Sequence, residues 1–146
     1  MARRHARPAA RCAAGLLGGV AAYQAALAGG APFGDTVYGG RADTVDGVLS
    51  PPYRVASAGA AVALSAAAWT VAAHAGLVPP GKISRRTLTN GTRAVAGFLA
   101  VNTVANAAST NPLERWLLGS VTGTSSALCL IVLRAGNGSS GRSSHA

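Results

Sequence analysis

Residues 55–78 read Val-Ala-Ser-Ala-Gly-Ala-Ala-Val-Ala-Leu-Ser-Ala-Ala-Ala-Trp-Thr-Val-Ala-Ala-His-Ala-Gly-Leu-Val, without a single Asp, Glu, Lys or Arg. A helix rises about 1.5 Å per residue and a hydrocarbon core is about 30 Å thick, so about twenty such residues cross it. A soluble helix of this length needs a charged outer face. This stretch has none, and a membrane span is the reading.

Three more uncharged runs flank it: Cys12 to Gly34, Ala94 to Leu113 and Trp116 to Leu133. The pattern predicts an all-α, four-transmembrane-helix bundle with spans at 12–31, 55–78, 94–110 and 114–133. A basic cytoplasmic tail, 1–11, precedes this membrane domain of 12–133, and a flexible cytoplasmic tail, 134–146, follows it. All seven prolines (Pro8, Pro32, Pro51, Pro52, Pro79, Pro80 and Pro112) fall outside the spans. Proline inside a helix removes a hydrogen bond and clashes with the preceding turn, so it brackets helices here.

Composition supports the same class. Of 146 residues only 12% are charged, against about 25% in an average soluble domain. Ala contributes 33 residues and Gly 19, and mean hydropathy is +0.31. A disordered chain needs low hydrophobicity and high net charge, and a disulfide scaffold needs more than two cysteines. The length allows one domain.

A net charge of +9 invites a nucleic-acid reading. The cations are instead scattered between apolar runs, with few aromatics to stack on bases, so no nucleic acid is expected as a partner. They report orientation. Lys and Arg favour the cytoplasmic side. The N-terminal segment, the 79–93 loop and the C-terminal segment hold ten of them, and the 31–54 loop and the 3–4 turn hold three. Both termini are therefore expected inside, with the lipid bilayer of a plasma membrane as the surroundings. Ala26-Leu27-Ala28 before Gly29 also fits a signal-peptide cleavage site. The length of the first run and its paired glycines favour a retained helix.

Lipid gives helices no hydrophobic drive to associate, so small residues must let backbones approach. Gly15 with Gly19, Gly119 with Gly123, and Ser57, Ala61 and Ser65 have that spacing. Such faces serve packing within the chain, or a homo-oligomer or another membrane protein as partner. Among polar residues in the spans, Tyr23, Gln24, His74, Asn102 and Asn106 stand out. Asn102 and Asn106 lie one turn apart, and interhelical hydrogen bonding is their expected role. No carboxylate, Lys or Arg stands at mid-span, which disfavours a proton-coupled carrier. Cys12 and Cys129 read as packed thiols.

Gly30-Ala31-Pro32-Phe33-Gly34 with Tyr38-Gly39-Gly40, Leu49 to Ser57, and Asn106 to Trp116 carry a resemblance. In these stretches the chain resembles a family of small four-helix bacterial integral membrane proteins of unknown function. Members of that family carry a proline where this chain has Gly119-Ser120. The resemblance implies a bacterial membrane protein and supplies no substrate.

The same stretches fall at the expected outer surface. Arg54, Asn106, Ser109, Glu114 and Arg115 form a candidate outer polar site, in which Glu114 pairs with Arg54 or Arg115. Alternatively Pro112 and Glu114 simply open the fourth helix, where negative charge is favoured. Gly29-Gly30 to Gly34 lacks the Lys-Ser/Thr of a phosphate loop, and no catalytic set, metal spacing or cofactor motif is present. The expectation is a non-enzymatic accessory or interaction protein. A small-solute transporter or channel-like oligomer built on the asparagine face is the alternative, and a membrane enzyme using Glu114 comes third.

Overall fold

A computed structural model describes residues 2–109 and 112–137. Among these residues the fold is all-α apart from one short hairpin, with four long helices. The first, α1, spans Ala2–Gly29. It starts well before the expected residue 12 and includes Pro8 near its beginning. The reason is packing: Ala9 and Ala10 are already buried, against Val71, Cys129 and Val132 of later helices. Residues 2–11 are thus helix, not a tail. Gly30 ends α1 at φ 98°, with Ala31 N–H donating to Ala26 O and Gly30 N–H to Leu27 O. That paired pattern needs a left-handed residue, which glycine supplies without strain.

Helix α2 covers Pro51–His74, four residues earlier at each end than the sequence implied. Pro51 and Pro52 occupy its first turn, where a missing N–H costs nothing. Gly76 stops it at φ 69°, with Leu77 N–H bonded to Ala72 O. Helix α3, Arg85–Ala107, begins nine residues before the expected 94 and stops short of 110. Ser84 caps it, its hydroxyl accepting from Thr87 N–H at 3.1 Å. Arg85, Arg86 and Arg93 therefore ride on a helix and not on a loop.

The fourth helix opens with a π-helical turn, Leu113–Leu118, and continues as α4, Gly119–Asn137. Gly119-Ser120 is where the α form takes over. Residues 134–137, expected as tail, are helical, and the rest of that tail lies outside the described residues. Ala6–Gly29, Pro51–His74 and Arg115–Ala135 are each long and apolar enough to cross a membrane. Helix α3, counted as a fourth span from sequence, does not meet that measure, because its first nine residues are mostly polar.

Successive helices run antiparallel. Helix α1 packs on α2 and α4, α4 also packs on α3, and of the four seams that of α2 with α3 is the thinnest. The interior is built from small and hydroxyl-bearing residues: Ala10, Ala13, Ser57, Thr92 and Ser125 are almost fully buried. Leu17, Val71 and Val132 are buried among them, but many large apolar side chains point outward: Val62, Phe98, Val104 and Trp116 are each more than 60% exposed. A water-soluble protein avoids so large an apolar surface, whereas close-packed membrane helices favour small residues at their interfaces.

Gly119 is buried and Gly123 faces Thr103, where an added Cβ would stand 3.2 Å from Thr103 Cγ2. At Gly15 and Gly19 an added Cβ would meet nothing within 4 Å. These two face outward and do not pack a helix of this chain; Ser65 is exposed as well. Sequence spacing marked the right kind of residue but not the side of the helix that turns inward.

The α1–α2 connection folds into a cap. Thr44–Val45 (β1) pairs antiparallel with Val48–Leu49 (β2), turning through Asp46 at φ 51° and Gly47 at φ 76°. Asp-Gly between short apolar pairs is the two-residue hairpin signal. Gly34 N–H donates to Gly47 O at 2.7 Å, folding the Pro32–Thr36 segment onto the hairpin. Leu27, Val37 and Leu49 form a small second core beneath it.

Candidate functional site: an amide-lined cleft between the helices

A cleft of about 430 Å³ lies among the helices, walled by Leu17, Leu64, Val95, Leu99 and Val121. Three amides line it: Gln24 from α1, and Asn102 and Asn106 from α3. Residues 102 and 106 share a face because four residues are one turn of helix. Asn102 donates through Nδ2 to Phe98 O of its own helix at 2.9 Å. The interhelical bond expected of it is not made, because the cleft holds the neighbouring helices away. Gln24 Oε1 is buried with no hydrogen-bond partner. A buried carbonyl oxygen of this kind costs free energy until something donates to it.

The polar bonds that do join helices are elsewhere. Thr103 Oγ1 donates to Thr122 Oγ1 at 3.0 Å, and the buried Ser126 hydroxyl donates to Ala96 O at 2.9 Å. Both tie α3 to α4. Their signal is the hydroxyl-rich stretch Thr122-Gly123-Thr124-Ser125-Ser126 on the fourth run, but single hydroxyls are too common to single out.

The described residues of the expected outer polar site are spread over α2, α3 and the start of the fourth helix. Arg54 Nε donates to Ala28 O at 2.9 Å and so caps the carbonyl end of α1, a favoured place for a cation. Asn106 lies in the cleft, whose lining includes none of Arg54, Ser109 and Arg115. Ser109 is half-buried just past α3, and Arg115 is exposed on the π-helical turn. The Glu114 side chain lies outside the described residues, and so does its expected ion pair.

Tyrosine and hydroxyl side chains hold the cap in place. Tyr38 takes φ 56°, unusual for a side chain of that size, and its hydroxyl hydrogen-bonds Ser57 at 3.1 Å while its ring rests 5.1 Å from that of Tyr53. Tyr23 and Thr36 share a hydroxyl–hydroxyl bond of 2.5 Å, and Thr44 donates to Asp35 Oδ1. Cys129 is fully buried, as expected of a packed thiol, but Cys12 is exposed. No family model, no curated protein and no solved structure matches this chain.

Proposed function

We propose that this protein is a four-span component of a bacterial plasma membrane, with both termini cytoplasmic. In this reading it is a non-enzymatic accessory protein whose cleft seats a transmembrane helix of another membrane protein. The unpartnered Gln24 Oε1 among apolar walls carries the reading. An apolar helix bearing one hydrogen-bond donor satisfies both. The thin α2–α3 contact gives such a helix its way in from the side. Phe98, Val101 and Val104 give the second half of α3 an outward apolar face suited to lipid, so α3 counts as a span despite its polar beginning. The transporter reading gains less, since the amides occupy a side cleft and not a polar path between the two ends.

Orientation is checked by cysteine labelling of intact cells, in a Cys12→Ala background. Val45→Cys should react with an impermeant maleimide and Lys82→Cys should not; the reverse pattern would invert the topology. The accessory role is checked by photo-crosslinking. A photoreactive residue at Leu64, in the cleft, should give one discrete protein adduct, and the same residue at Val62, on the outer face, should give lipid adducts. The double replacement Asn102→Leu with Asn106→Leu should abolish the adduct. It should barely change thermal stability, because the one bond lost is local to α3. Equal behaviour at Leu64 and Val62 would end the accessory reading, and loss of solute uptake in the double variant would favour transport.

A further inference from the structure

At the end of the bundle where α1 and α3 begin, Arg7, Arg11, Lys82, Arg85, Arg86, Arg93 and Arg134 collect. Among the described residues no acidic side chain belongs to that end: Asp35, Asp43 and Asp46 lie in the α1–α2 connection, and Glu114 is on the turn that opens the fourth helix, both at the opposite end. A cavity of about 530 Å³ opens among these cations. Arg7 of α1, His74 at the end of α2 and Arg85 at the start of α3 line it, above a floor that includes Leu88 and Val132. His74 Nδ1 is buried with no hydrogen-bond partner. The amino end of α3 adds its own positive partial charge.

We propose that this cavity binds a phosphate group, supplied in the membrane by an anionic lipid headgroup. Two guanidinium forks from different helices suit the several oxygens of one phosphate, which a single lysine cannot match. An imidazole nitrogen bonds the same group as donor or, through a phosphate hydroxyl or water, as acceptor. The depth fits as well. The uncharged part of α3 starts only at Ala94, which leaves Arg85, Arg86 and Arg93 at headgroup level beside the cavity. Basic pockets between spans on the cytoplasmic side are where phosphorylated headgroups settle. The proposal rests on the membrane reading above for its lipid source, but not for the phosphate chemistry.

The test uses the full chain in mild detergent, titrated with phosphatidylglycerol, phosphatidylcholine or inorganic phosphate. Retention is read by native mass spectrometry, and stability by thermal denaturation. Phosphatidylglycerol should be retained and should raise the midpoint, and phosphatidylcholine should do neither. Replacing Arg7 and Arg85 by Gln should weaken retention about tenfold or more, the order expected for losing charge-assisted hydrogen bonds. His74→Leu should weaken it as well. Lys82→Gln with Arg86→Gln removes equal charge outside the cavity lining and should change it by less than about twofold. Both pairs are exposed, so folding survives in each. Competition by millimolar inorganic phosphate would identify free phosphate as a ligand of the same site; failure to compete would assign it to lipid. Equal loss in both double variants, or no preference for phosphatidylglycerol with no binding of phosphate, would overturn the proposal. Alkaline carbonate extraction separates the two readings. Release of the chain from membranes refutes the membrane reading, and the phosphate titration still decides the cavity.

Discussion

Gly47→Val should unfold the cap and leave the bundle below it intact but destabilised. Gly47 sits at φ 76°, and a Cβ there would stand 2.8 Å from Pro32 O, a backbone atom that cannot move aside alone. An L side chain in the left-handed region costs about 1–2 kcal/mol, and a β-branched one more. The contact adds an overpacking cost of about 1–3 kcal/mol. Loss of the turn also breaks the Gly34 N–H to Gly47 O bond and uncovers Leu49, which is 2% exposed in the native structure. Limited proteolysis of the cap in right-side-out vesicles should become fast, and the thermal midpoint in detergent should fall. Val45→Thr, one turn residue away on an exposed side chain, should be silent in both. A cap that stays protease-resistant in Gly47→Val would show that the hairpin does not hold it.

The second large effect is expected from Gly123→Leu. The α3–α4 seam has no slack at this point, since Cβ alone would stand 3.2 Å from Thr103 Cγ2. Thr103 cannot turn away freely: its hydroxyl bonds Thr122 and also Leu99 O at 2.8 Å. A leucine must push the helices apart, and the Ser126 to Ala96 O bond one turn further along lengthens with them. An overpacking penalty of about 1–3 kcal/mol is expected, together with about 0.6 kcal/mol for each interhelical bond lost. Gly59→Leu is the matched control, on an exposed position of α2 where an added Cβ meets nothing within 4 Å. It should be neutral or slightly stabilising, since glycine is a poor helix former. Equal denaturant midpoints for the two variants would place the seam elsewhere.

The contrast between Gly123 and Gly15 also marks how far residue pattern reaches. Uncharged length and flanking proline located the helices, because the cost of burying charge and of breaking a helix at proline is local to each segment. They misplaced the starts of α1 and α3. There, burial of Ala9 and Ala10 against later helices and a Ser84 cap extend the helix into charged sequence. Glycine spacing cannot tell which face turns inward, since that depends on neighbours on other helices: Gly123 meets Thr103, whereas Gly15 and Gly19 meet no other part of the chain. The cleft was half legible. Asn102 and Asn106 are legible as polar intruders, but the gap that leaves Gln24 unpartnered is a property of four helices together. The charge of Arg54 is legible in sequence, but the backbone carbonyl it caps has no signature there.

That contact bears on how the chain is assembled. The Arg54 side chain finishes a helix whose last residue was synthesised some two dozen positions earlier. Until α2 has emerged, the carbonyl end of α1 stays open and the cap has nothing to close against. The first two helices and the loop between them are therefore the natural unit of assembly, a fastened pair. The α3–α4 pair carries its own hydroxyl bonds and needs no part of the first pair to make them. Contacts within each pair are near in sequence, the arrangement that favours fast folding. The slower step is then the closure of two preformed halves along α1 and α4.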